Sequence, residues 1–137
     1  MRYSFTVDGN IQPKERPRVK RFNGRITTYT PAKTKLYESK VKASYNGSMY
    51  AENTPLKVMI VAYMPIPKST SKKQHEAMLS GRIRPTKTPD ADNIAKSICD
   101  ALNGVAYKDD KQIIRLTVEK WYSDFPRAEV TIDEVAW

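Results

Sequence analysis

Five apolar residues, Ile94, Ala95, Ile98, Ala101 and Leu102, recur three and four positions apart, and the chain then changes to a spacing of two at Ile114, Leu116 and Val118. The first spacing lines one face of a helix running from Asp92 to a stop at Asn103-Gly104, and the second lines one face of a strand. Neither stripe can be left in water, so a helix has to lie on a sheet. At 137 residues the chain suffices for one such core and is short for two. The expectation is a single compact α+β domain over residues 1–137, a mixed β-sheet flanked by helices.

The remaining segments supply the other pieces. Tyr3, Phe5 and Val7 alternate with Ser4, Thr6 and Asp8 before Gly9-Asn10, which predicts an opening strand and a turn. Lys14, Arg16, Arg18, Lys20, Arg21 and Arg25, broken by Pro13 and Pro17, form a basic loop or loose hairpin. Thr30-Pro31 starts a helix whose apolar face is Leu36, Val41 and Tyr45, with Lys33, Lys35, Lys40 and Lys42 on its other sides. Leu56 to Met64 is a central strand, rich in β-branched and aromatic residues. A short helix begins near Ser71, and with the following Arg82, Arg84 and Lys87 it makes a basic insertion that is either mobile or a binding element. Val130 and Ile132, after a turn at Ser123 to Pro126, predict that the last two strands pair as an antiparallel hairpin.

Charge divides the chain in two. Up to Lys87 there are 18 Lys or Arg against 5 Asp or Glu, and from Thr88 onward 6 against 10, within an overall charge of +9. A basic surface of that size favours a polyanionic partner. The lone Cys99 excludes an intrachain disulfide and a CxxC zinc pair, and reads as a small core residue in a reducing compartment. No apolar leader opens the chain and no apolar run reaches bilayer length, so no membrane partner and a cytoplasmic location are expected. His75, the only histidine, sits in a polar basic stretch with no nucleophile nearby, which leaves a Ser-His-Asp or Cys-His mechanism without its base.

Against this basic background the carboxylates cluster. Asp92, Lys96 and Asp100 are four apart and share the outward face of the helix, and Asp90 precedes its first turn, where the helix dipole favours negative charge. Asp109 and Asp110 follow in the loop beyond. Gathered aspartates suit a hard divalent cation, and a cation beside a polyanion suits phosphodiester cleavage. Each residue also has a plainer role: Asp90 or Asp92 as an N-cap, Asp92 with Lys96 as a surface pair, Asp109-Asp110 as turn chemistry. A helix of about 12 residues is about 18 Å long, so spacing alone does not bring Asp110 back to the helix start.

The ordered run Asp90-Ala-Asp92-Asn93-Ile-Ala-Lys96-Ser-Ile-Cys-Asp100-Ala-Leu, followed by Gly104-Val-Ala-Tyr107-Lys-Asp109-Asp110-Lys-Gln112-Ile-Ile, resembles the RusA family of Holliday junction resolvases. The resemblance covers roughly the last third of the chain. It implies Asp90, Asp92 and Asp110 as metal-binding and catalytic carboxylates and Lys96 as the supporting catalytic lysine, with Asp109 and Asp100 as secondary candidates. It further implies Mg²⁺, with Mn²⁺ as a substitute, a homodimer with a mixed sheet, and four-way DNA junctions nicked in two symmetric strands. The basic N-terminal loop and residues 68–88 depart from the family pattern. Two other readings compete: a metal nuclease for other branched or single-stranded substrates, and a non-catalytic nucleic-acid-binding protein whose aspartates only cap and pair.

Overall fold

The computed structural model describes residues 1–135, and the elements run β1 (Tyr3–Asp8), β2 (Arg18–Phe22), β3 (Arg25–Tyr29), α1 (Ala32–Ser44), β4 (Leu56–Pro65), α2 (Lys72–Leu79), α3 (Ala91–Ala101), β5 (Ile113–Ser123) and β6 (Arg127–Glu134). Leu56, Val58, Ile60, Ala62 and Met64 alternate along β4 and are all buried, so one face of that strand is core. Four strands make the main sheet in the order β1-β6-β4-β5. β1 and β4 are both antiparallel to β6, whereas β4 and β5 are parallel. The connection from β4 to β5 therefore has to cross over, and α3 is the helix that does so. The domain is α+β with a mixed sheet, as its period changes imply.

Helix α3 brings Ile94, Ile98, Ala101 and Leu102 to the sheet with no residual exposure. Burying each of the three larger side chains is worth about 1.5–3 kcal/mol over leaving it exposed, which is what holds the helix in place. α1 lies beside α3 and β1, burying Thr34, Tyr37 and Val41. Here the expected apolar face is corrected: Leu36 points to solvent at 71 % exposure, and Tyr37 takes the inward position at the i+3 step from Thr34. Tyr45, just past the helix, packs edge-on to Tyr3 and Phe5 with ring centres 5.8 and 5.5 Å apart.

The predicted closing hairpin does not form. β6 is not beside β5, because β4 lies between them. The turn from Ser123 to Arg127 arches past the end of β4, where Pro65 terminates the strand opposite Ser123. Two strand spacings are about 9.6 Å, within reach of a four-residue step. The Ser123 hydroxyl accepts from the Phe125 N–H at 3.0 Å and from Arg127 at 3.3 Å, fixing the arch. Period-two alternation identifies strands but is blind to which strand is the neighbour.

The segment after α2, expected as a mobile or binding insertion, is not loose: it is clasped to β5. The Arg84 guanidinium lies 3.3 Å over the Trp121 ring, its Nε donates to the Lys120 carbonyl at 2.8 Å, and Lys120 Nζ donates to the Lys87 carbonyl at 2.6 Å. Gly81 sits at φ +84°, and a Cβ there would come within 2.6 Å of the Trp121 ring, so any other residue would strain the backbone and push the ring aside. Ser71 caps α2 by accepting from the Gln74 N–H, as expected.

Candidate active site

With its apolar stripe on the sheet, α3 turns Asp92, Lys96 and Asp100 outward along one line. β5 is the edge strand beside it, and between the two lies an open cavity of about 320 Å³. Asp92, Lys96, Asp100 and Asp110 supply its polar wall, and Cys99 and Leu116 part of its apolar one. The pairing of β4 with β5 shifts register at Leu56/Lys57, which leaves Ile114 exposed and turns Leu116 toward the cavity.

Asp110 owes its position to three residues of the motif. Gly104, at φ +78°, reverses the chain after α3, and its N–H donates to the Tyr107 carbonyl at 2.7 Å. Tyr107 is fully buried and its hydroxyl donates to the Cys99 carbonyl at 2.6 Å, tying the loop back to the helix. Gln112 is buried at the other end, donating to the Ala51 and Thr54 carbonyls while its own carbonyl accepts from the Lys108 N–H. Between these anchors Asp109 accepts from the Lys111 N–H at 2.9 Å and starts a single 3₁₀ turn that carries Asp110.

The anchors decide which carboxylates meet. Asp110 comes to the last turns of α3, where it lines the cavity together with Asp100. Partial burial first, then the neighbouring Asp109 and Asp100 carboxyls, push the Asp110 carboxyl up to about 6, while the Lys111 N–H and the neighbouring Asp110 hold Asp109 below the usual carboxylate range. Asp92 lines the same cavity at its far end, eight residues or about 12 Å along the helix axis from Asp100. Lys96 lies 4.0 Å from Asp92, both largely exposed. Asp90 is the N-cap residue, and its side chain accepts no capping hydrogen bond, so the plain capping role is not the one it plays. It is exposed and outside the cavity lining. Among the described residues no three His, Cys, Asp or Glu side chains converge tightly enough to enclose an ion by themselves.

Two residues escaped the sequence reading. Lys14 Nζ pairs with Asp100 at 2.7 Å and approaches Glu38 at 3.8 Å, while its N–H donates to Asn93 Oδ1 at 2.8 Å. Ser97, one turn further along α3, donates to the Gln12 carbonyl at 2.7 Å. The segment between β1 and β2 is thus strapped along α3 beside the cavity. Asn93 was visible in the motif as a residue between two aspartates, but its partner is 79 positions away and no local pattern announces it. Cys99 is buried, as expected, and burial pushes its thiol up to about 12. His75 pairs with Asp124 at 2.8 Å, away from the cavity.

A raised carboxyl makes stability depend on pH. The folded chain binds a proton at Asp110 more tightly than the unfolded chain does, so between about pH 4 and about pH 6 stability falls as pH rises, and the loss is complete above pH 6. Asp110→Asn, which cannot ionise, is expected to unfold at higher temperature than wild type at pH 7.5 and to match it near pH 4. Thermal melts across that range check this, and a gap that widens toward acid would contradict it.

Comparison with known proteins shows the family. The family described as Endodeoxyribonuclease RusA matches residues 8–133. A Bacillus subtilis (strain 168) protein, described as "Uncharacterized protein YqaN", is 41 % identical over 136 residues, covering 96 % of each chain. The family match takes in the basic segment after β1 as well as the aspartate motif and nearly all of the final strand. With an aspartate-lined cavity set between the crossover helix and the edge strand, this chain belongs to the RusA family of endodeoxyribonucleases.

Proposed function

We propose that the chain is a Mg²⁺-dependent endonuclease that resolves four-way DNA junctions by paired nicks in recombination and repair, with Asp90, Asp92, Asp110 and Lys96 as its working residues. The observation that carries the reading is that Asp92, Lys96 and Asp110 face one open cavity in a chain of this family. The donor set fits a hard divalent cation: every candidate ligand is a carboxylate oxygen, and the crowding that pushes Asp110 up to about 6 is of the kind a cation neutralises. Asp110 and Asp92 of the cavity, with Asp90 at the helix entrance, would hold Mg²⁺, or Mn²⁺ in its place. When bound, the ion supplies Lewis-acid polarisation of the phosphodiester and of the attacking water.

The chain's own groups do the rest. Lys96 offers a mobile ammonium to a phosphate oxygen at the mouth of the cavity. Lys14 compensates Asp100, so the site accepts a polyanion despite its carboxylates. Lysines of α1 and of residues 68–87 hold the arms of the junction through phosphates, which makes binding sensitive to salt. Two symmetric cuts require two sites, supplied by a homodimer. No helix among the described residues is long and apolar enough to cross a membrane. We assign the protein to the cytoplasm, where chromosomal DNA and reduced thiols coexist.

The test is incubation of the purified protein with a labelled immobile four-way junction and a linear duplex of the same sequence, in Mg²⁺ or in EDTA. Paired symmetric nicks in the junction, only with Mg²⁺, are expected. Cutting that persists in EDTA would refute the metal, and equal cutting of the linear duplex would refute junction selectivity.

A further inference from the structure

β2 and β3 form a two-stranded hairpin in which all ten strand residues are exposed. Asn23 and Gly24 at its tip have φ 49° and 75°, the two left-handed residues of the tight turn that suits the twist of a two-residue hairpin. A two-stranded ribbon exposed on both sides is marginal in water, because it buries too little apolar surface to offset the ordering of its backbone. Its composition is strongly basic. Arg18, Lys20, Arg21 and Arg25 are the only charges from Arg18 to Tyr29, and the nearest acid, Glu15, reaches only Arg18, at 3.2 Å.

The register sorts these side chains. Arg18 lies opposite Tyr29, Lys20 opposite Thr27, and Phe22 opposite Arg25, and these alternate pairs project to one side of the ribbon. That side therefore carries three cations with an aromatic ring at each end. Phe22, beside the tip, is 69 % exposed. The root of the hairpin is the strap already described: Lys14 on Asp100 and Asn93, and Glu15 N–H on Thr34. Only three residues separate Lys14 from β2, so whatever the ribbon grips is held beside the cavity.

We propose that this hairpin is a DNA arm: its cations hold phosphates of two adjoining junction arms, and Phe22 stacks on the base-pair face opened at the branch point. Charge selects nucleic acid over a second, equally basic copy of the chain. The aromatic tip selects branched over linear DNA, since a continuous duplex offers no free base face without being unstacked. This inference rests on the junction reading above and adds the residues that recognise the branch.

The test measures binding of the full-length protein in Ca²⁺ without Mg²⁺, by anisotropy, to a labelled four-way junction and to a linear duplex. Phe22→Ala is expected to weaken junction binding roughly tenfold and duplex binding less than twofold, and to lose the rise in 2-aminopurine fluorescence at the branch point that is expected of wild type. The combined Arg18→Ala, Lys20→Ala and Arg25→Ala variant is expected to weaken both and to lower the salt slope by about 2–3. All four positions are exposed, and matching circular dichroism confirms that the variants fold. If wild type prefers and cuts the junction but both variants bind like it, the arm assignment alone fails. If wild type shows no preference, the junction reading fails and this inference with it. If Phe22→Ala leaves DNA binding intact and turns a dimer into a monomer, the hairpin is a contact between copies and the proposal is overturned.

Discussion

Asp110→Asn is expected to cut four-way junctions at least about a hundredfold more slowly than wild type while binding them as tightly or more tightly. Removing a group that only orients a metal ligand typically costs 10–100-fold, and removing the ligand itself costs no less. The amide keeps the size of the carboxylate, so Tyr107 and Gln112 should continue to hold the turn. It loses the negative charge that draws a cation and repels phosphate, so catalysis and affinity move in opposite directions. Single-turnover cleavage in Mg²⁺ and binding in Ca²⁺ measure the two separately. Cleavage within fivefold of wild type would remove Asp110 from the mechanism and leave Asp100, its neighbour in the cavity, as the carboxylate to test next.

The largest loss of stability should come from Tyr107→Ala. Tyr107 is the bulkiest of the fully buried side chains, and its truncation removes both packing and the hydrogen bond to Cys99. A buried aromatic replaced by alanine costs about 3–5 kcal/mol, a large share of the stability of a domain this size. In urea the midpoint should fall without a change in slope, since the same surface is exposed on unfolding. Tyr107→Phe separates the two contributions: it keeps the ring, strands the hydroxyl's partner, and is expected to cost about 1–2 kcal/mol. A loss under 1 kcal/mol for the alanine variant would show that the loop is held by its other anchors.

Much of this could be read along the chain because it is local. The α3 stripe, the Ser71 cap, the alternation in β1 and β4 and the stop at Gly104 each depend on residues within one or two turns, and each is where its pattern implied. Leu36 misled because propensity and periodicity allow two adjacent faces for α1, and the one buried was chosen by β1 and α3. The final hairpin misled for a related reason, since a short turn normally joins neighbours, and only the end of β4 at Pro65 lets this one step across.

The same division runs through the site. The kind of chemistry on offer is legible along the chain: aspartates and one lysine on the polar face of an amphipathic helix, in a basic chain with one cysteine and one histidine. Their company comes from long-range packing. It set Asp110 against Asp100, left Asp90 at the helix entrance with its carboxylate unused as a cap, and brought Lys14 from 86 residues away to pair with Asp100. Helical spacing fixes angles around one axis but carries no information about what approaches from outside it. That was settled by burial of Tyr107 and Gln112 in the core, which tethers the loop to the far end of α3.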